Sequence, residues 1–182
     1  EIFEREILPS SNPRSAMTDG TALLWRLKLD AEGGALPWRA LADLAEKVSR
    51  PGFLFGEVHA AFAYAACGDQ AALDRQADGL RALGAKGHPI AARVVLPLVL
   101  GTAAFAAGDH AGALRHFEPV EAEMHRIGGS HAQWEIYEET MVQCYLALQR
   151  WDDATRLISR RLARRASPRD QQWLARAGRR GN

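Results

Sequence analysis

Three residues in the second half of the chain have types and spacing that could support acid–base chemistry: His131, Glu135 and Glu138. In a helix His131 and Glu135 share one face, where a carboxylate could orient an imidazole as a general base or the pair could contribute metal ligands. The sequence has no HExxH, nucleophile elbow or P-loop. We therefore favour a structural role, with no catalytic, metal or cofactor site. An enzyme or small-molecule-binding protein built on this cluster is the first alternative.

A second set of candidate residues is basic and lies near the C-terminal end. Between Trp151 and Asn182 the chain carries nine arginines against three aspartates. Five of them recur at helical spacing: Arg156, Arg160, Arg161, Arg164 and Arg165. Nucleic-acid binding through these arginines is the second alternative. The formal net charge of +1 supplies no global field for it, and a solvated helix face is the simpler interpretation.

The elements that must position these residues repeat about every forty residues. Turns are predicted at Gly68, Gly108 and Gln149, which lie 40 and 41 positions apart. Each follows an apolar stretch with an aromatic residue and precedes another stretch containing alanine. This period is typical of arrays of helical hairpins. The predicted fold is all-α, a tetratricopeptide-like α-solenoid of antiparallel hairpins with no sheet, forming a single domain over 1–182.

Periodicity and turn signals predict about nine helices, pairing into four hairpins and a closing helix. They run from Ala16 to Ala31, Pro37 to Val48, Leu54 to Cys67, Gln70 to Leu83, Ile90 to Ala107, His110 to Ile127, His131 to Leu148, Trp151 to Ala163 and Pro168 to Ala177. Glu1 to Leu8 is predicted to be a helical tail, followed by a loop from Pro9 to Arg14, and Gly33-Gly34 ends the first helix.

Local signals refine several of these boundaries. Pro97 and Pro119 fall inside helical stretches and should kink the helix or move its end. Ser130 and Gln133 have the spacing of a capping box, and Ser167 precedes a proline suited to a first helical turn.

In such arrays the first helix of each hairpin lines a concave groove, which gives the candidate binding residues. These are His59, Phe62, Leu98, Thr102, Ile136, Glu139 and Gln143. The predicted groove is mainly apolar, so it suits an amphipathic helix or a segment of the same protein better than a charged peptide terminus. An exposed apolar groove would also favour a homodimer.

Cysteine usage and hydropathy bear on location. Cys67 and Cys144 belong to no CxxC or Cys/His metal spacing, so we expect small buried thiols in a reducing compartment. No apolar run reaches the roughly 20 residues that span a bilayer, and the first residues are too charged for a signal peptide. We expect a cytoplasmic protein without a membrane partner.

Several segments carry a more specific resemblance: DGTALLWRL from Asp19 to Leu27, Pro37-Trp38, HRIGGSHAQ from His125 to Gln133, and Trp173-Leu174-Ala175. Together they resemble the tetratricopeptide repeat protein 38 family, found in bacteria and animals. The resemblance implies an all-helical repeat fold and an intracellular protein with no catalytic activity to carry over. It also implies that the chain is the C-terminal part of a longer protein. The segment ending at His59 departs from the family, which usually has Asn or Asp shortly before the histidine.

The sequence thus favours a non-catalytic interaction module over an enzyme. Its partner is expected to be a protein or peptide helix, or the N-terminal half of the same protein, held in the groove.

Overall fold

The computed structural model describes residues 3–7, 9–30, 36–48 and 52–178. These residues form nine α-helices and no strand. The α-helices are α1 Pro13–Leu29, α2 Trp38–Val48, α3 Leu54–Cys67, α4 Gln70–Ala85, α5 Leu96–Ala106, α6 His110–Phe117, α7 His131–Ala147, α8 Trp151–Arg164 and α9 Pro168–Gly178. The all-α prediction is confirmed.

The start of α1 corrects the predicted loop from Pro9 to Arg14. Asn12 caps the helix, since its side-chain oxygen accepts from the backbone N–H groups of Arg14 at 3.1 Å and Ser15 at 3.3 Å. Pro13 fits the first turn because its missing N–H would have had no partner there. The helix ends at Leu29, and the predicted stop at Gly33-Gly34 lies outside the described residues. The predicted N-terminal helical tail is a single π-helical turn, Phe3–Ile7.

The two internal prolines divide their predicted helices. Before Pro97 the chain forms a π-helical turn, Ala91–Val95, and α5 begins with the proline in its first turn. Around Pro119 α6 changes into a 3-10 segment, Glu118–Ile127. In each case proline removes a backbone donor, so the regular α-helical hydrogen bonding shifts at that point. Both predicted disruptions are confirmed.

The three predicted turns share one backbone geometry. Gly68, Gly108 and Gln149 have positive φ angles of 68°, 82° and 59°. After the first two, Asp69 and Asp109 cap the next helix by accepting from a backbone N–H at 3.1 and 2.7 Å. The third turn has neither the glycine nor a capping carboxylate, since its cap residue makes no side-chain hydrogen bond. Its sequence is therefore the least suited of the three to its conformation.

The helices differ in how completely they are buried. In α3 and α7 most positions are buried all round, whereas α2, α4 and α8 bury one face and expose the other. A helix that is buried on all sides lies inside the protein, and one that buries a single face lies at its surface. The four hairpins α1/α2, α3/α4, α5/α6 and α7/α8 each pack as pairs, with α9 against α8.

Large side chains join the first helices of these hairpins across the interior. The ring of Trp25 on α1 lies 4.5 Å from that of Phe62 on α3 and 5.6 Å from that of Phe105 on α5. Phe62 in turn lies 4.9 Å from Tyr137 on α7. Because α1 packs against both α3 and α7, it covers the inner surface between the hairpins.

Candidate functional site

Most of the predicted groove residues lie in the interior and are covered. His59, Phe62, Leu98, Thr102 and Ile136 are fully buried and Glu139 is 2% exposed. Only Gln143 is half-buried. The apolar face on which self-association was expected is therefore not open in this conformation.

The covering element is α1. Trp25 is fully buried, and its Nε1 donates to Thr140 Oγ1 on α7 at 2.9 Å. Its contacts with Phe62 and Phe105 complete a pocket made by three different hairpins. Leu23, Leu24 and Leu27 mark an apolar helix face in the sequence, but no local signal distinguishes the tryptophan beside them. Its long-range partners cannot be read from local spacing.

His59 lies at the centre of this interior. Its Nδ1 is 2.8 Å from the carbonyl oxygen of Phe55, to which it donates, while Nε2 is buried without a partner. Burial lowers the pKa of His59 to about 4, because a charged imidazolium would lose its hydration. A neutral, enclosed histidine is suited to packing.

The glycine-rich loop before α7 packs against the same region. Gly129 lies against the ring of Phe55, and any side chain at Gly129 would overlap that ring. Gln133 accepts from the backbone N–H of Ser130 at 2.8 Å in the predicted capping box. Gln133 also donates to Asp19 on α1 at 3.1 Å. The distinctive HRIGGSHAQ segment thus helps to hold α1 in place.

His131 and Glu135 form the predicted pair, with 3.0 Å between His131 Nδ1 and Glu135 Oε1. Glu135 is also 2.7 Å from Arg165. Burial of Glu135 opposes its ionisation, but the guanidinium groups of Arg165 and Arg161 outweigh burial and hold its pKa below the usual value. A general base needs a pKa nearer neutrality, so this carboxylate is suited to ion pairing.

An arginine–carboxylate cluster surrounds that pair and joins four helices. Its members are Arg26 of α1; Glu135, Glu138 and Glu139 of α7; Arg161 and Arg164 of α8, with Arg165 directly after that helix; and Arg169 and Asp170 of α9. All three carboxylates of α7 are at most 4% exposed. The candidate acid–base residue Glu138 is thus an ion-pair partner.

Arg161 is the centre of the arginine–carboxylate cluster. Its side chain is 2% exposed and lies 3.0 Å from Glu138, 3.1 Å from Glu139 and 3.1 Å from Asp170. Burial disfavours its charge, but these carboxylates raise the pKa of Arg161 above its ordinary value. Helical spacing groups Arg161 with the other C-terminal arginines, but it does not show that this arginine points inward.

The other arginines at helical spacing on α8 are also paired. Arg164 contacts Glu138, Arg160 contacts Glu121, and Arg156 lies 2.6 Å from Asp153. Their positive charge is locally balanced by these carboxylates. A phosphate backbone would have to compete with those partners.

Both cysteines are free thiols, but only one of them is fully buried. Cys67 is half-buried and Cys144 is buried, both are free, and burial raises the pKa of Cys144 to about 12. In the described ranges no helix is long and apolar enough to cross a membrane. Those same residues contain no group of three metal-ligating side chains.

Comparison of the chain with family models, curated proteins and solved structures found no match.

Proposed function

We propose that the protein is a non-catalytic helical-repeat module of the tetratricopeptide type, and that its inner groove binds an amphipathic helix. In this chain α1, although it pairs with α2, is the helix that occupies the groove lined by the first helices of the other three hairpins. The observation that carries the proposal is the position of Trp25, fully buried against residues from three other hairpins.

Shape and polarity support this assignment. The groove presents Phe62, Phe105 and the hydroxyl of Thr140 to a single tryptophan. At the edge, Arg26 lies 3.0 Å from Glu139 and also donates to the carbonyl of Ala132 at 2.5 Å. An aromatic anchor in a desolvated pocket with a charged contact beside it is how helix-in-groove interfaces obtain affinity and orientation.

Catalysis at His131 receives no such support. Glu135 and Glu138 are both engaged by arginines. The cavity that Glu138 does line, with Trp134 and His125, is not lined by His131 or Glu135. Glu138 therefore lines this cavity without the other two residues that the acid–base hypothesis requires beside it.

A peptide exchange experiment tests the proposal on the full chain. Trp25→Ala removes the anchor from α1, and a labelled peptide of residues 12–30 is then added. We expect the variant to bind this peptide with a Kd of about 1–100 μM. A peptide carrying the same Trp25→Ala change should bind at least about tenfold more weakly. The unmodified protein, with its groove occupied, should bind neither appreciably.

Leu148→Ala is the matched control, because Leu148 is 39% exposed and lies outside the groove. It should behave like the unmodified protein. Equal binding of the two peptides, or no binding by a Trp25→Ala chain that keeps its helical circular dichroism, would contradict the proposal.

A further inference from the structure

A cavity of about 300 Å³ lies where the end of α1 meets α5, α6, α7 and α9. Its polar lining is Lys28, His110, Gln143 and Arg176, and its apolar lining includes Phe105 and Leu146. Gln143 is the one predicted groove residue that remains half-buried. The cavity thus lies at one end of the groove, in the part that α1 does not cover.

Two buried nitrogen atoms in this lining have no hydrogen-bond partner: Nδ1 of His110 and Nε2 of Gln143. Leaving a buried polar group unpaired is destabilising, and native proteins seldom do so without a reason. The amide nitrogen of Gln143 can only donate. A ligand whose acceptor oxygens reach these nitrogens, once the side chains turn toward the cavity, would satisfy Gln143 and also His110 in its Nδ1–H form.

The charge of the lining points the same way. Lys28 and Arg176 are both exposed cations at the cavity, and no carboxylate is among the lining residues that the structure describes. Two lining residues have a carboxylate next to them in the sequence, and both carboxylates have partners. Asp30 pairs with Arg169, and Asp109 accepts from the N–H of Gly112 at 2.7 Å and lies 3.6 Å from Arg115. The two cations therefore favour an anion in this cavity.

A second cavity of similar size does not share this excess of positive charge in its lining. It lies between the 3-10 segment, α7 and α8, has a volume of about 290 Å³, and is lined by Glu118, Glu121 and Glu138 with Arg160. There the single arginine is already paired with Glu121. The two cavities thus have opposite charge, which provides an internal comparison.

We propose that the cavity beside Gln143 binds a small organic carboxylate with an apolar chain or ring. The carboxylate oxygens accept from Gln143 and His110 and pair with Lys28 and Arg176, while the apolar part lies against Phe105 and Leu146. A volume near 300 Å³ is the lower end for ligand pockets. At roughly 30 Å³ for a water-sized group, it admits a ligand of about ten non-hydrogen atoms.

This binding site is independent of the proposed groove function, because it is defined only by the lining of the cavity. The cavity does connect distant parts of the chain. Lys28 belongs to α1 and Arg176 to α9, so one bound anion would bridge the two ends of the fold.

The test is a titration of the full chain with straight-chain carboxylates from acetate to octanoate, with benzoate, and with inorganic phosphate. Calorimetry measures Kd, and ¹H–¹⁵N spectra follow the side-chain amide of Gln143. We expect the amide signal to shift and the affinity to rise from acetate to hexanoate, because each added methylene buries apolar surface. Phosphate, which has no apolar part, should bind more weakly than hexanoate.

Variants identify the site. Lys28→Met and Arg176→Met should each raise the Kd for hexanoate about fivefold, and Gln143→Met about tenfold. Arg160→Met, in the acidic cavity, should leave the Kd for hexanoate unchanged. The proposal is overturned if no probe shifts the Gln143 amide, if phosphate binds as tightly as hexanoate, or if Lys28→Met and Arg176→Met together leave the Kd unaltered. Lys28 and Arg176 are exposed, so the double variant should fold, which its thermal unfolding checks.

Discussion

Trp25 and Thr140 lie 115 positions apart in the chain and are joined by a buried hydrogen bond of 2.9 Å. The hydroxyl of Thr140 donates in turn to the carbonyl of Ile136 at 2.6 Å, so the indole N–H is satisfied by an oriented acceptor. Both residues are fully buried. This contact ties the first hairpin to the fourth and closes the interior.

Arg161→Met should be strongly destabilising. The arginine contacts Glu138, Glu139 and Asp170 in the interior. Methionine fills similar space but leaves three carboxylates without their common partner. Breaking a buried ion pair in this way costs about 3–5 kcal/mol, measured as the free energy of unfolding in urea at pH 7.

Arg156→Met is the control for that measurement. Arg156 pairs with Asp153, but its side chain is 71% exposed, and such pairs contribute less than about 1 kcal/mol. Similar losses for the two variants would show that the position of Arg161 in the cluster has no special energetic role.

Gln149→Gly should stabilise the protein. Gln149 has a φ of 59°, a conformation in which a side chain costs about 1 kcal/mol and glycine does not. The reverse change at an equivalent turn, Gly108→Ala, should destabilise by a similar amount because φ there is 82°. Urea midpoints of the two variants should move in opposite directions; a lower midpoint for Gln149→Gly would contradict the strain.

His59 should make stability fall as the solution becomes mildly acidic. Its pKa is about 4 in the folded protein and about 6.5 when unfolded. Between these values the unfolded chain binds more protons, so the free energy of unfolding decreases as pH falls. From pH 7 to pH 5 this contribution is about 2 kcal/mol, whereas above pH 7 it is constant.

The measurement compares the pH dependence of unfolding with that of His59→Gln. The variant should lose about 2 kcal/mol less between pH 7 and pH 5, whatever its stability at pH 7. His125→Gln, at an exposed position, should keep the pH dependence of the unmodified protein. An unchanged slope in His59→Gln would mean that His59 binds its proton over the same pH range in the folded and unfolded states, which would contradict its burial as a neutral group.

Much of the fold could be predicted from local sequence signals. Glycine at Gly68 and Gly108 fixes the turns, and Pro97 and Pro119 interrupt helices through their own backbone chemistry. Only the period predicts the turn at Gln149, because glutamine gives no local signal for a left-handed backbone. The predicted start of α1 is too late because Asn12 and Pro13 are as common in loops as at the start of a helix.

The arrangement of the interior could not be predicted in the same way. Helical spacing shows that Arg161 and Glu138 each belong to a polar face, but not that the two faces meet and exclude water. Closure by Trp25 likewise depends on contacts more than a hundred positions away. For these residues tertiary packing, not local pattern, decides whether a polar or apolar face is open.

Native-state hydrogen exchange of the unmodified protein and of Trp25→Ala tests most directly whether α1 is the occupant of a groove formed by the other hairpins. We expect the amides of α1 to be as protected as those of α3 and α7 in the unmodified protein. In the variant α1 alone should lose protection, because its anchor is gone while the hairpins retain their own contacts. Loss of protection in α3 and α7 together with α1, or rapid exchange of α1 in the unmodified protein, would contradict this account.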